Sequence, residues 1–313
     1  MFSTRAARAS IVSFGGACAA AYLFYPDNSR SASTVVNSPL SPSHFTRAIL
    51  TSSEPSGPNT KLLLLTVPNV SMQKIPLMGP IWSVFIKDDD IQVERPYTPL
   101  EGIDEHGRML FWIKSYPKGE VGRWLHSKKV GDFVEFRGPL STWTWKEDEW
   151  DEVVMISGGT GITPFYQLLR SSVAKGQSNT HFTLLHSSPV PAELPPPEIL
   201  GPLRAYAADN PEKFALHLFV DRRDGVPAEV SLLQIGRIGK PEIQRCLGLP
   251  TSWWRNLFPG ASNGPPKKIL FLICGPEPMI NAIAGPYGRN FSQGDVGGVL
   301  GELGYTSKEV RKL

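Results

Sequence analysis

The chain has 313 residues, 41% of them hydrophobic, which is enough to bury a sizeable core and suggests about two domains. Its 32 basic and 29 acidic residues leave a net charge of +3, too small by itself to indicate a nucleic-acid partner. No basic run or zinc-ligand spacing favours such a partner either. The three cysteines, Cys18, Cys246 and Cys274, are far apart and odd in number, which argues against a disulfide framework.

The first 27 residues form a distinct segment. Arg5 and Arg8 are its only charges before Asp27, and serine, threonine and alanine fill the gaps, as is typical of a mitochondrial presequence. Residues 9–25 are almost wholly apolar and end in an aromatic cluster, at the lower length limit for a membrane span. We therefore expect residues 1–27 to be a mitochondrial targeting segment and membrane anchor. A secretory signal is the competing interpretation.

Residues 28–43 are rich in serine and proline, which predicts a flexible linker. From residue 44 to 147, short apolar runs alternate with turn residues, which predicts an antiparallel β-barrel. The expected strands are 44–50, 61–67, 81–86, 109–114 and 132–137, with a turn at 55–59 and a helix at about 121–127.

The spacing between apolar runs changes near residues 146–150, where we place a domain boundary. In the second part, residues 148–313, strand candidates are spaced widely enough for helical crossovers, which predicts an α/β domain with a parallel sheet. These candidates are 153–156, 181–186, 215–220 and 269–273. Residues 224–266 are expected to form a long, irregular insertion.

A strand followed by a glycine turn opens this second domain. Val153–Ile156 lead into Gly158, Gly159 and Gly161, and Pro164 stands where a helix can begin. A strand, a glycine turn and a helix N-terminus together present backbone N–H groups to an anion. The structural alternative is an ordinary glycine turn of an α/β domain.

Three further motifs carry possible chemistry. Residues 94–99 place an arginine beside Tyr97 and Thr98, which suits a phosphate and a planar ligand, although a proline-rich surface turn would look the same. Residues 118–125 contain a second glycine-bearing helix start. Residues 269–280 form a late buried strand that runs into Cys-Gly-Pro, where the cysteine could also be a buried small hydrophobe.

Arg-x-Tyr-Thr, Gly-x-Gly-Ile-Thr-Pro and Cys-Gly-Pro-x-Pro-Met occur in this order, beginning at Arg95, Gly159 and Cys274. In this combination the chain resembles the ferredoxin–NADP reductase superfamily over about residues 44–313, and most closely its NADH–cytochrome b5 reductase branch. The resemblance implies FAD in the barrel and a nicotinamide dinucleotide, NADH or NADPH, in the second domain. It also implies hydride transfer to the flavin, followed by release of single electrons to a haem or haem protein.

The resemblance assigns roles to individual residues. Arg95 would pair with the FAD phosphates, Tyr97 would lie against the flavin, and Thr98 would hydrogen-bond near its reactive nitrogen. Thr98 and Cys274 are the implied catalytic residues. The other implied cofactor-binding residues are Pro96, Ile113, Lys114, Val121 and Gly122 on the flavin side, and Gly159, Thr160, Gly161, Thr163, Pro164, Cys274, Gly275, Pro276 and Met279 on the nicotinamide side.

The chain departs from the family pattern at three places. Gly122 stands where the family commonly has serine, which predicts looser FAD binding. The last residues, Val310–Leu313, are not aromatic, which puts any terminal stacking role in doubt. The third departure is the 224–266 insertion, with Trp253 and Trp254.

A narrower resemblance is to fungal mitochondrial flavoproteins that assist haem attachment to cytochrome c. It implies cytochrome c or the haem-attachment enzyme as partner, and a site on the inner membrane facing the intermembrane space, with the outer membrane as the alternative. Two other functions stay open: a general NADH–cytochrome b5 reductase, and a non-catalytic scaffold for cytochrome c maturation. The sequence leaves open the choice between NADH and NADPH and the oligomeric state.

Overall fold

The structure is a computed structural model that describes residues 32–36, 38–67, 79–88, 92–144, 149–171, 179–224, 233–248, 267–289 and 292–313. The predicted anchor, residues 1–27, lies outside the described residues. Within the described ranges, no helix is both long and apolar enough to cross a membrane.

The first half of the chain forms a six-stranded antiparallel sheet in the order β4-β3-β6-β1-β2-β5. This confirms the antiparallel architecture expected for the FAD-binding half. Its elements are β1 (Thr46–Gly57), β2 (Thr60–Thr66), β3 (Ile81–Lys87), β4 (Glu94–Tyr97), β5 (Arg108–Lys114), helix α1 (Glu120–Ser127) and β6 (Phe133–Trp143).

Alternating apolar side chains explain these strands, because every second residue of a strand points to the same face. In β3, Val84 and Ile86 are fully buried in a core that β5 and α1 also line. The turn between β1 and β2 is shorter than the expected 55–59, because Pro55 still pairs with Lys61. The chain reverses at Pro58 and Asn59, and Asn59 has φ +55°, a conformation that asparagine tolerates.

The described part of the predicted linker is attached to this sheet. Thr34 bridges Phe45 in parallel fashion, and its hydroxyl donates a hydrogen bond to Glu135 at 2.9 Å. Residues near 34 and 41 are therefore held on the antiparallel domain, contrary to the expectation of a flexible linker throughout 28–43.

The second half forms a six-stranded parallel sheet in the order β10-β9-β8-β7-β11-β12. Its elements are β7 (Glu152–Gly158), α2 (Thr163–Ser171), β8 (His181–Ser188), α3 (Pro197–Asp209), β9 (Phe214–Val220), β10 (Leu233–Ile235), α4 (Lys240–Cys246), β11 (Ile269–Cys274), α5 (Glu277–Ala284), α6 (Gly298–Glu302) and β12 (Val310–Lys312). Every residue of β7 is buried, as expected of a central parallel strand.

Strand order fixes where a ligand can bind. The chain runs from β7 outward through β8, β9 and β10, then returns to the other side of β7 with β11. The order therefore reverses between β7 and β11, and parallel sheets bind ligands outside the carboxyl ends of the strands at such a switch point. Gly158 ends β7 there, and Cys274 ends β11.

The expectation of an irregular 224–266 stretch is wrong for its described part. Strand β10 pairs with β9, and helix α4 buries Ile243 in a core shared with β7 and β11. Sparse apolar residues made this part look irregular in sequence, whereas only a few of them, such as Leu233 and Ile243, are needed to extend the sheet and cover it. Residues 225–232 and 249–266, including Trp253 and Trp254, lie outside the described residues.

The two sheets share a hydrophobic core. Leu100 and Trp112 of the antiparallel domain belong to the same buried cluster as Phe165 and Leu168 of α2. Helix α2 starts at the switch point, so this contact fixes the carboxyl end of β7 against the antiparallel domain.

Candidate active site between the two domains

A cavity of about 470 Å³, here called cavity A, opens where the two domains meet. Its volume lies within the range of about 300–1,000 Å³ that is usual for ligand pockets. The antiparallel domain contributes Ser83, Pro96, Tyr97, Thr98, Phe111, Trp112, Tyr116 and Thr142, and the parallel domain contributes Gly158, Thr160, Gly161, Thr163, Pro164, Cys274, Gly275, Pro276 and Leu313. Thr98 and Cys274 therefore face one space.

Tyr97 and Thr98 form the antiparallel wall because β4 ends there. Val84 of β3 pairs with Tyr97, so the following residues leave the sheet edge and turn toward the parallel domain. Burial raises the pKa of the Tyr97 phenol above its usual range, although the nearby Arg95 charge works in the opposite direction. Tyr97 is therefore a neutral ring at physiological pH.

The glycine turn and the Cys274 loop form the opposite wall, and they touch each other. A Cβ atom on Gly161 would overlap the Cys274 carbonyl oxygen and lie 2.6 Å from the carbonyl carbon. Glycine is thus required at position 161 for one loop to pack on the other.

Cys274 is a neutral thiol in this position. It lies deep in the protein and is partly accessible from cavity A. Burial raises its pKa to about 12, so it adds no charge beside a reacting ring.

A second cavity of about 370 Å³, cavity B, adjoins cavity A at Tyr116, Gly158 and Pro276. It continues along the carboxyl edge of the parallel sheet. Its other lining residues include Lys114, Gly159, Ser187, Ser188, Asp221, Arg237 and Met279. Cavities A and B together therefore form a space long enough to suit a ligand larger than a single ring, at the carboxyl edge where parallel sheets bind dinucleotides.

Lys114 and Arg237 are the two cations that line cavity B, and Lys114 is already paired. Its ammonium contacts the carboxylate of Glu193, which lies in a short turn after β8, and both side chains are mostly buried. Ser188 donates a hydrogen bond to the Glu193 carbonyl oxygen at 3.1 Å, so the turn is held at the cavity wall.

A buried histidine supports Ser188 from below. His186 is fully buried, and its Nε2 lies 3.1 Å from Ser188 Oγ while its Nδ1 lies 2.8 Å from Ser157 Oγ. Because Ser188 already donates to Glu193, Nε2–H is the donor and Nδ1 accepts from Ser157. Burial lowers the pKa of His186 to about 3, so it stays neutral.

Arg95 lies outside cavities A and B, next to the start of α1. Its guanidinium is exposed, 3.9 Å from the Glu120 carboxylate. The cap of α1 is Gly119, whose lack of a side chain leaves the first-turn N–H groups without a side-chain acceptor. An arginine beside such a helix start fits a pyrophosphate, and Glu120 partly opposes it. The residues at the start of α1 therefore fit the phosphates of FAD.

The structure gathers most of the residues that the sequence singled out. Ten of them line cavity A: Pro96, Tyr97, Thr98, Thr160, Gly161, Thr163, Pro164, Cys274, Gly275 and Pro276. Lys114, Gly159 and Met279 line cavity B. The side chains of Ile113 and Val121 instead pack in the antiparallel core, so only their backbones can face a cofactor.

Other lining residues were not found from the sequence. Tyr116 stands at the junction of both cavities, and Asp221 follows β9. The available signal for Asp221 was its position directly after the predicted strand 215–220, at the carboxyl end of a parallel strand. Tyr116 carried no motif, because a lone tyrosine after a strand is common.

Family comparisons agree with this geometry. Residues 47–145 match the oxidoreductase FAD-binding domain family, and residues 155–226 match the oxidoreductase NAD-binding domain family. The chain is 30% identical over 265 residues to an NADH-cytochrome b5 reductase 2 of Scheffersomyces stipitis, covering 84% of this chain and 82% of that one. The chain belongs to the ferredoxin–NADP reductase family, in its NADH–cytochrome b5 reductase-like branch. It is an FAD-dependent NAD(P)H reductase.

Another relative agrees with this family, and solved structures agree with the fold. An NADH-cytochrome b5 reductase 2 of Candida albicans is 31% identical over 229 residues, covering 73% of this chain and 69% of that one. The cytochrome b5 reductase domain of Ulva prolifera nitrate reductase shares the fold, with a TM-score of 0.64 at 21% identity over 88% of this chain and 99% of that one. The CS-b5R domains of human Ncb5or, in the NAD+ form, give a TM-score of 0.63 at 19% identity, covering 86% and 69%.

Proposed function

We propose that this reductase passes hydride from NADH to FAD and then delivers single electrons to a haem protein. The observation that carries the proposal is cavity A, which Thr98 and Cys274 line from opposite domains. Reacting atoms must approach to roughly 3–3.5 Å, so the two rings have to share one space. FAD, when bound, supplies the conversion of a two-electron hydride into single electrons.

The residues of the chain supply position and a neutral environment for this step. Tyr97 stays a phenol and Cys274 stays a thiol, since burial raises the pKa of each. Hydride transfer needs no general acid or base, so neutral groups are suitable on both walls. Lys114 and Arg237, which line cavity B, are the cations available there to a nucleotide phosphate.

NADH is the donor that cavity B favours. Asp221 lies directly outside the carboxyl end of β9, and an acidic residue at such a place can accept a hydrogen bond from a ribose hydroxyl. The same carboxylate would repel the additional phosphate of NADPH. Arg237, 3.4 Å from Asp221 and highly exposed, is the group that would attract this phosphate once Asp221 is removed.

The donor proposal is tested with Asp221→Ser. We expect the ratio of kcat/KM for NADH to that for NADPH to fall about tenfold or more, which corresponds to about 1.4 kcal/mol. Asp224→Ser is the matched control, since Asp224 pairs with Arg222 and lies outside the lining of cavity B. An unchanged ratio in Asp221→Ser would contradict the proposal.

For the acceptor, the names of the relatives favour cytochrome b5 or another haem protein. The narrower resemblance seen in the sequence favours cytochrome c haem attachment, with the haem-attachment enzyme as a possible partner. We place the protein on the inner mitochondrial membrane, facing the intermembrane space, held by residues 1–27. The outer membrane is the alternative, and it goes with a general cytochrome b5 reductase.

Two experiments test these points. The full chain is purified in detergent and titrated anaerobically with NADH. Yellow flavin that bleaches, and that then reduces cytochrome b5, cytochrome c or free haem, supports the reductase and ranks its acceptors. A folded protein that binds cytochrome c but no FAD would instead indicate a scaffold.

For location, protease digestion of intact mitochondria is compared with digestion after rupture of the outer membrane, and protection that is lost only on rupture supports the intermembrane space.

A further inference from the structure

One buried amide joins the two domains beside the active site. Gln167, on α2, is 4% exposed. Its Oε1 accepts a hydrogen bond from the Trp82 backbone N–H at 2.8 Å, and its Nε2 donates to the Pro99 carbonyl oxygen at 3.0 Å. Both of these backbone groups belong to the antiparallel domain.

The two ends of this link lie next to the walls of cavity A. Gln167 stands four residues after Thr163, so both occupy one face of α2 a single turn apart. Pro99 directly follows Thr98. Thr163 belongs to the wall of cavity A that the parallel domain forms, here called the nicotinamide wall, and Thr98 belongs to the wall that the antiparallel domain forms, here called the flavin wall. Gln167 therefore connects these two walls through short stretches of backbone that can hardly stretch.

The surroundings make this link specific. Leu168 and Leu100 belong to the apolar cluster between the domains, where an unpaired amide or carbonyl would be costly. Two other polar contacts of α2 with the antiparallel domain lie at the rim: the Tyr166 hydroxyl is 3.3 Å and the Arg170 guanidinium 3.4 Å from Glu101, whose side chain is about half exposed. A third, at the end of α2, is the bond from the Ser171 hydroxyl to the Pro80 carbonyl oxygen at 3.3 Å, which is also partly solvated. Such partly solvated contacts restrain position less than a buried amide does.

We propose that Gln167 is a positioning residue that sets the distance between the flavin and nicotinamide walls of cavity A. The inference rests on the proposed hydride transfer between those walls. Only a side chain with one acceptor and one donor satisfies both partners, which glutamine does. Methionine of similar length does neither, and an ionised glutamate would place a charge against the Pro99 carbonyl oxygen.

The main test uses Gln167→Glu, whose carboxyl group can be switched by pH. When protonated, its carbonyl oxygen accepts from Trp82 and its hydroxyl donates to Pro99, so the link is restored; when ionised, the donor is lost. Burial raises the pKa of such a carboxyl group. We expect flavin reduction by NADH, measured by stopped flow, to be about 10- to 100-fold slower than in the natural protein at pH 8 and to recover most of this loss as the pH falls to 5.5.

Gln167→Met should be slow at every pH while retaining FAD. Tyr166→Phe is the matched control, because it removes one rim contact from the same helix, and its rate should follow that of the natural protein. Among the described residues, the ionisable groups bonded across this helix face are Glu101, Arg170 and Tyr166. The pH dependence of the flavin-reduction rate in the natural protein and in Tyr166→Phe measures the contribution of these groups.

A second readout does not depend on turnover. Hydrogen exchange at the Trp82 amide should accelerate in Gln167→Met, and in Gln167→Glu at pH 8 after correction for the intrinsic pH dependence, but not in Tyr166→Phe. The proposal is overturned by normal flavin reduction in Gln167→Met, or by a rate ratio of Gln167→Glu to natural protein that is independent of pH. It is also overturned if both variants lose FAD at every pH, since the role would then be structural. Failure of the natural protein to reduce flavin would instead refute the proposed function.

Discussion

His186 shows how a titratable side chain can be held neutral beneath a binding site. It is enclosed between Ser157 and Ser188 at the carboxyl ends of β7 and β8, and each of these hydroxyls is hydrogen-bonded to one of its ring nitrogens. Its pKa is lowered to about 3 because burial disfavours the charged ring. Its ring therefore holds Ser188, and through Ser188 the Glu193 turn of cavity B, in position without placing a charge beside the sheet.

This burial predicts a pH dependence of stability. The folded-state pKa of His186 lies below the unfolded value of about 6.5, so the unfolded chain binds the additional proton. The free energy of unfolding should therefore fall by up to about 1.4 kcal/mol for each pH unit below 6.5, with no contribution from His186 above it. Urea unfolding between pH 7.5 and 5 measures the slope. His126 and His217, whose pKa values burial also lowers, contribute to the same slope. His186→Gln should therefore reduce the slope by the share of His186, whereas the exposed His106→Gln should leave it unchanged. Equal slopes in both variants would show that His186 titrates normally.

Gly161 is the second residue whose identity follows from a single contact. Alanine there would place Cβ 2.6 Å from the Cys274 carbonyl carbon, a backbone atom that cannot rotate away. We expect Gly161→Ala to cost about 1–3 kcal/mol of unfolding free energy, the usual cost of overpacking, and to widen cavity A. The melting temperature and the rate of flavin reduction by NADH should both fall.

Gly201→Ala is the control for Gly161→Ala. Gly201 lies in α3, and among the described residues a Cβ atom added there would meet nothing within 4 Å beyond its chain neighbours and the backbone of its own helix, so alanine should be neutral or stabilising by about 0.5–1 kcal/mol. Similar stability of the two variants would mean that the two loops separate without cost.

At the scale of elements, the contact between α1 and β5 explains an unusual residue. Gly122 stands where the family commonly has serine, and a Cβ atom there would lie 2.8 Å from the Lys114 carbonyl oxygen. Helix α1 thus approaches β5 too closely for a side chain at this position. Glycine fits the packing of this chain, and the missing hydroxyl is not simply a lost cofactor contact.

This contact predicts the reverse of what the family pattern suggests. Gly122→Ser should weaken FAD binding, by roughly tenfold if the helix shift costs about 1.4 kcal/mol, because α1 must move away from β5 and carries its N-terminal N–H groups with it. Fluorescence titration of the apoprotein with FAD measures the Kd. Gly201→Ser, remote from the site, controls for the substitution itself. Tighter FAD binding in Gly122→Ser would show that the hydroxyl contact outweighs the packing.

At the scale of the whole molecule, the two domains behave as one packing unit. Phe165 of α2 is fully buried in a cluster that contains Leu100 and Trp112 of the antiparallel domain. Domains joined by an apolar core of this kind move little relative to each other, in contrast to domains joined by small polar interfaces. Cavity A is formed by that fixed arrangement.

The shared core predicts coupled unfolding. Release of FAD, seen as a rise in flavin fluorescence, and loss of helical circular dichroism should have the same urea midpoint. Phe165→Leu, which costs about 1 kcal/mol, should lower both midpoints together. Phe136→Leu, within the antiparallel core alone, is the comparison and should also move both probes. If Phe165→Leu moves only the circular dichroism, the domains unfold independently.

The sequence by itself determined the class of the fold, the family and the two cofactors. Apolar runs such as Val153–Ile156, and the glycine and proline residues that end them, act over a few neighbouring positions, and this local chemistry can be read directly. The motifs at Arg95, Gly159 and Cys274 then identified the family because their order and spacing are hard to produce by chance. The predicted roles of the site residues stay predictions, although the structure brings most of them to two adjoining cavities.

Only the tertiary structure decided which distant residues meet. Thr98 and Cys274 share a cavity, Gln167 bonds to Pro99, and Gly122 packs on the backbone of Lys114. Contacts of this kind depend on strand order and on the docking of α2, which result from the packing of the whole chain and leave no local pattern. For the same reason Leu233–Ile235 and α4 looked irregular in sequence: their few apolar residues become a strand and a helix only when a sheet edge is present to receive them.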